Sequence, residues 1–506
     1  MKALKLRWHI HLTLLGVAVA LSACSLWLPD AEDDLAPYRA AMLPHAQSQL
    51  ARVGTVPRYD IDLHIDTERL TVTGHETVLY TNDHPDALNE LYFRLYPNLP
   101  AYDGEMQVDR IEIEGKEIEA SYEATRTALR VPLPYSLRPK QRIRLKLDFK
   151  LRVQQRDGGR VLMGQSQDIL SLPNFYPMLA TRRNGSWDLS IGPDFADAVF
   201  SDVALYRVDI DAPQDMVMVG TGVIAGQEDT PEEGAVGTPA LPGRRITHFV
   251  SGPVRDFGLI MSPVFEVQTM TIRDVVINSY HLPEDAPAGY SALWRAVAAI
   301  QAYSDAFSEY PYTKFDVVEA PLEKHGMEYP ALVLIGSEVY RTEKQRLEPL
   351  VAHETAHQWW YNLVGSDPVN EPAVDESLAE YSLYYYYAGV YGQRYAEQMI
   401  RTRWLEPSAV IQEKGLDAPV GSPAHALTRD NYEAIVYAKS SMLYNELRQY
   451  IGPAAFDAAI RNYLNSYQYR VAPVGAFLAI ASGATPRNLE AHAAKWREPI
   501  LTPPPQ

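Results

Sequence analysis

The chain has 506 residues, 46% of them hydrophobic and 22% charged, an ordinary composition for a folded protein and a length that calls for two or three domains. Its 64 acidic and 46 basic side chains give a formal charge of −18, which repels phosphate backbones and excludes DNA or RNA as a partner. Cys24 is the only cysteine, so the body holds no internal disulfide, no cysteine zinc site and no cysteine nucleophile.

A basic start (Lys2, Lys5, Arg7) precedes a short apolar run, residues 12–21, too brief to span a bilayer. The run ends in Leu21-Ser22-Ala23-Cys24, which resembles the lipobox of bacterial lipoproteins. The resemblance implies a signal peptide over residues 1–23, cleavage before Cys24 and lipidation of that cysteine. Ser25 follows, and a residue other than Asp there resembles the pattern that sorts to the outer membrane. The expectation is a cell-envelope lipoprotein in the outer membrane, facing the periplasm. Residues 24–54, with Pro29 and the acidic Glu32-Asp33-Asp34, are expected to tether lipid to fold.

From Arg58 the apolar period is two. Tyr59, Ile61, Leu63 and Ile65 alternate with polar residues, and Ile143, Leu145, Leu147, Phe149, Leu151 and Val153 do so more clearly. Shorter runs recur at 203–210 and 245–250. Residues 227–243, rich in Glu, Gly and Pro, predict a surface loop. Residues 55–270 therefore predict an all-β domain.

The pattern changes near Pro283-Glu284-Asp285-Ala286-Pro287. Leu293, Val297, Ile300 and Phe307 then fall near helical spacing, two short strands are expected at 315–318 and 331–335, and helices dominate to about residue 497. A catalytic domain over 271–500 is the expectation, with a loop at 415–431 and a frayed proline tail at 502–506.

Residues 353–357 read His-Glu-Thr-Ala-His. On a helix, positions i and i+4 share a face, so both imidazoles can reach one ion. Zinc suits two neutral imidazoles and a carboxylate at about 2.0–2.2 Å, with one position left for water. Glu376, on a segment opened by Pro372, is the third candidate ligand. Reaching the metal requires a short connection and a second, antiparallel helix. Glu354 is placed to act on the water.

These residues resemble the gluzincins of the aminopeptidase N and leukotriene A hydrolase type, over roughly residues 55–450. Trp359 and Trp360 fit the resemblance, and Val374-Asp375-Glu376-Ser377-Leu378-Ala379-Glu380-Tyr381 is similar to the family's W-L-N-E-G-F-A-x-Y. The resemblance implies a saddle-like β domain, then a thermolysin-like, mainly helical catalytic domain holding one zinc. His325-Gly326-Met327-Glu328-Tyr329 is similar to the family's G-x-M-E-N, which implies that Glu328, with Gly326 and Met327 beside it, binds a substrate's free α-amino group. Tyr437-Ala438-Lys439-Ser440 resembles Y-x-K-G and implies that Tyr437 donates to the oxyanion. His325 stands at a family Gly, Tyr329 at Asn, Asp375 at Asn and Ser440 at Gly.

The reading is a zinc aminopeptidase acting on peptides with a free N-terminus, with Glu354 as general base. The altered residues beside Glu328 keep a zinc endopeptidase open. A hydrolase of a non-peptide substrate and a non-catalytic binding lipoprotein are the readings from other classes. Glu380 is either a partner to a zinc histidine or an exposed helix carboxylate, and the run Tyr384 to Tyr387 is expected to be helix packing.

Overall fold

The computed structural model describes residues 34–230 and 243–496. Cys24, the signal segment and the tail lie outside them. The alternating segments form an eight-stranded sheet, in the spatial order Val223–Thr230, Arg244–Val250, Leu205–Pro213, Arg58–Asp66, Thr71–Thr81, Arg142–Arg152, Glu105–Ile113, Lys116–Glu117. All neighbours are antiparallel except Arg58–Asp66 beside Leu205–Pro213. The period of two has its usual cause: Ile143, Leu145, Leu147, Phe149 and Leu151 are buried while the lysines and arginines between them face water. Each such side chain contributes roughly 1.5–3 kcal/mol. Two four-stranded sheets and a two-stranded one, Arg182–Arg183 with Ser186–Trp187, complete this half.

The second half opens with a five-stranded sheet, ordered Glu266–Ile272, Val275–His281, Lys314–Ala320, Leu332–Gly336, Gly326–Tyr329. The last of these is a short edge strand, antiparallel to its single partner. The helix Ala286–Ala306 packs on this sheet and against the two helices that follow. Helices then continue to Trp496. Among the described residues no helix is long and apolar enough to cross a membrane.

Three expectations change. Residues 36–53 are not a tether: Ala36–Ala41 and Pro44–Val53 are 3-10 helices whose Tyr38, Met42, Leu43, Ala46, Leu50 and Val53 are buried. Met42 and Leu43 pair with the backbone near Tyr312 in the second half, so this segment fastens one domain to the other. Residues 227–230 extend the strand Val223–Thr230, and the remainder of the predicted loop up to residue 242 lies outside the described residues. The change of sheet falls at 263–265, not 270, because Glu266–Ile272 pairs with Val275–His281. Its alternation resembled that of the strands before it, and period alone does not report sheet membership.

Candidate active site

The helix Leu347–Ala356 carries His353 and Glu354, with His357 at its C-terminal cap. The helix Ala373–Tyr391 begins after Pro372 and presents Glu376 in its first turn. All four side chains are buried. The indole N–H of Trp360 donates to Ser382 Oγ at 2.9 Å and ties the two helices together.

The three candidate ligands converge. His353 Nε2 lies 3.1 Å from Glu376 Oε2 and 3.1 Å from His357 Nε2, and His357 Nε2 lies 3.3 Å from Glu376 Oε2. Tetrahedral zinc with bonds of about 2.0–2.2 Å spaces its ligand atoms by about 3.3–3.6 Å, close to this triangle. Each outer nitrogen has an oxygen beside it. His357 Nδ1 donates to the Trp360 carbonyl at 2.8 Å, and Glu380 Oε2 lies 3.2 Å from His353 Nδ1. These partners leave both Nε2 lone pairs facing inward, where two buried acceptors and a carboxylate require a cation. The donor set therefore fits zinc. Burial alone would raise the Glu376 carboxyl; a positive charge in place of those lone pairs, here that of His357 and His353 when protonated, holds it well below the usual carboxylate range.

Glu380 is buried, which excludes the exposed reading. It also accepts from Arg403 at 2.9 and 3.0 Å and from Trp404 Nε1 at 2.8 Å. Burial opposes its ionisation, yet Arg403 and His353 bring its carboxyl down to about 2. Tyr384 to Tyr387 pack within the helical half, as the run of aromatics predicted.

Gly326, Met327 and Glu328 lie on the edge strand. Donor atoms of Glu328, Glu354 and His357 lie within 4.8 Å of one another. Gln358, which the sequence reading passed over, holds this strand to the histidine helix: its Oε1 accepts from Ala331 N at 2.7 Å and its Nε2 donates to the Tyr329 carbonyl at 3.0 Å. Tyr329 is buried, and His325 lines the cleft apart from the converging donors.

Tyr437 sits in a π-helical turn, Ala434–Lys439, a widened geometry common at functional sites. Its hydroxyl donates to Glu376 Oε1 at 2.6 Å. Lys439 anchors the turn on Asp417 and the Ala418 carbonyl. Ser440 is buried and folds its hydroxyl back on the Val436 carbonyl, which explains how it replaces a glycine.

The β domain contributes to the site as well. Asp197 and Arg160 come from its loops and line an 840 Å³ cleft together with Glu328, Glu354 and Glu376. A 140 Å³ recess opens beside Met327, Glu328 and Tyr329, lined by Leu162, Val199 and Tyr361 among others. Burial first, then the Asp197 charge, pushes the Glu328 carboxyl well above its usual range. Arg255 of the β domain is buried and donates to the carbonyls of Tyr361, Ser201 and Arg470. Its neighbour Asp256 accepts from the Tyr361 hydroxyl at 2.5 Å and from Asn174 Nδ2 at 3.0 Å.

A β domain, a helical domain, a His-Glu-x-x-His helix and a glutamate on the next helix define a zinc metallopeptidase of the gluzincin class. Residues 291–496 match the peptidase family M1 domain. The chain is 24% identical over 411 residues to the puromycin-sensitive aminopeptidase of Caenorhabditis elegans, covering 77% of this chain and 41% of that one. It is 26% identical over 224 residues to endoplasmic reticulum aminopeptidase 1 of Rattus norvegicus, covering 42% and 24%. The chain thus spans less than half the length of these relatives. The crystal structure of the M1 zinc metallopeptidase from Deinococcus radiodurans shares the fold, with a TM-score of 0.65 at 19% identity over 89% of this chain and 95% of that one. A mutant of it bound to a Tyr-Ser-Ala substrate gives a TM-score of 0.64 at 18% identity, over the same shares of the two chains. Residues 291–496 are thus similar to an M1 peptidase domain, and the convergent His353, His357 and Glu376 within it are a zinc donor set.

Proposed function

We propose that the protein is an aminopeptidase that removes N-terminal residues from peptides. The observation that carries this reading is the place of Glu328: a buried carboxylate on an edge strand, beside Glu354 and in the cleft that Asp197 also lines. Two carboxylates at that depth call for a cation, and a peptide's α-ammonium is one. The relatives named as aminopeptidases support the same activity.

When bound by His353, His357 and Glu376, zinc supplies a Lewis acid and acidifies water. Glu354 takes the proton of the attacking water and passes it to the leaving amine. Tyr437 turns its hydroxyl from Glu376 to the carbonyl oxygen as charge develops there. Glu328 and Asp197 hold the ammonium, while the edge strand pairs with the substrate backbone. The recess beside Met327 takes the first side chain. An acetylated N-terminus lacks the charge that Glu328 meets, which separates this reading from an endopeptidase.

The test compares one peptide with its N-terminus free and acetylated, using the zinc-loaded protein and its Glu354→Gln variant. Cleavage of the free peptide alone, one residue at a time and only by the parent, is expected. Equal cleavage of the acetylated peptide makes the site an endopeptidase. We also propose that Cys24 carries a lipid that fixes the protein in the cell envelope, on the strength of Leu21-Ser22-Ala23-Cys24. Cys24→Ser is then expected to move the protein from the membrane to the soluble fraction, and an unmoved protein removes the anchor.

A further inference from the structure

The cleft belongs to an acidic chain, yet two of its arginines have no partner among the described residues. Arg160 lines both the cleft and the recess. Among the described residues its guanidinium makes no hydrogen bond or ion pair, and its Nε is shut off from water. Asp197 and Glu354 feel its charge from beyond ion-pair distance. Arg346 lines the same cleft, and its guanidinium also has no partner among the described residues. The cleft's other arginines are matched: Arg403 with Glu380 and Arg429 with Asp194. An enclosed guanidinium nitrogen without an acceptor is costly, and such groups are few in folded proteins.

The direction of a bound peptide says what these cations would meet. With the ammonium at Glu328 and the water near Glu354, which rests against Gly326, the substrate runs from residue 328 toward residue 326, antiparallel to the edge strand. Two residues of extended chain cover about 6.7 Å. The second and third residues therefore reach His325, which lines the same cleft as Arg160 and Arg346.

We propose that Arg160 and Arg346 receive a carboxylate on the leaving side of the substrate, so that the cleft favours di- and tripeptides with a free C-terminus or an acidic residue just after the scissile bond. This rests on the aminopeptidase reading. Guanidinium and carboxylate pair in two parallel hydrogen bonds. A long peptide with neutral residues there leaves both arginines unmatched.

The experiment measures kcat/KM for one tripeptide as the free acid and as the C-terminal amide, and for two further amides with Glu or Gln as the second residue. The parent, Arg160→Gln and Arg346→Gln are compared, each checked for an unaltered melting transition. The acid is expected to exceed the amide by about tenfold to a hundredfold in the parent, with the ratio falling toward one in both variants. A Glu-over-Gln advantage without an acid-over-amide advantage assigns the pair to an acidic side chain instead. If neither carboxylate helps while the amides are cut, the proposal is overturned and the aminopeptidase reading stands. If no peptide is cut, that reading fails, and calorimetric binding of acid and amide to Glu354→Gln decides the role of the arginines: equal affinities overturn it.

Discussion

The Glu354 carboxylate fills the space that a side chain at residue 326 would need: a β-carbon on Gly326 would sit 2.1 Å from Glu354 Oε1 and 2.5 Å from its Cδ. The base is packed against a bare backbone on the strand that also carries Glu328. Gly326→Ala is expected to push the base aside without touching the metal ligands. A displacement of about 1 Å at a reacting group costs on the order of a hundredfold in rate, so kcat should fall by that order while zinc stays at one per chain. Steady-state kinetics beside metal analysis make the test, and a variant with the parent kcat removes the packing argument.

Among the described residues Tyr437 is the one phenol hydrogen-bonded to Glu376. Tyr437→Phe keeps the ring and its packing and deletes the donor. The loss of one donor to a developing oxyanion costs about a hundredfold to a thousandfold in kcat, so KM should move far less than turnover. An unchanged turnover number takes Tyr437 out of the mechanism.

Glu380 joins His353 to Arg403 and Trp404. Glu380→Ala strips the acceptor from the outer nitrogen of His353, so the ring is no longer held with its Nε2 lone pair inward. Partners of this kind are worth about 10–100-fold in metal affinity. Competition with a chromophoric chelator should show a loss of that order for Glu380→Ala and a smaller one for Glu380→Gln. Equal zinc affinity in all three proteins would leave Glu380 as an anchor for Arg403 alone.

Zinc also bears on stability. Two buried imidazole lone pairs and a carboxylate facing one another, with no cation between them, are unfavourable. Free zinc at a hundred times its Kd should stabilise the fold by about 2.7 kcal/mol over the chelated protein. Thermal unfolding with chelator and after zinc is restored measures it, and coincident melting curves would contradict the donor geometry.

The parts of the site that share one stretch of chain were legible early. His353 and His357 are one helical turn apart, and Glu376 follows within a helix, a turn and a helix, so spacing sufficed. Tyr437 stood out only because Lys439 follows it. Asp197, Arg160 and Arg255 were not legible, because their loops reach the cleft through the packing of one domain on the other. The segment 36–53 was misread from its neighbours, Pro29 and Glu32-Asp33-Asp34. Its own residues held the correction: Leu43, Ala46, Leu50 and Val53 repeat at three and four, and all four are buried. Gln358 carried no signal, since an amide between histidine and tryptophan gains meaning only once the strand beside it is known.

Arg255 is the feature with the widest reach. From the β domain it serves the carbonyl of Tyr361, four residues past His357, and that of Arg470, more than a hundred residues further on. A gene shortened to begin at the second sheet would encode every zinc ligand, yet its product would start life with those carbonyls orphaned and Asp197 missing from the cleft. The catalytic half is therefore not a portable cassette. Recombination that swaps the β domain must carry across its hold on Tyr361, and the two halves are constrained to evolve as one unit.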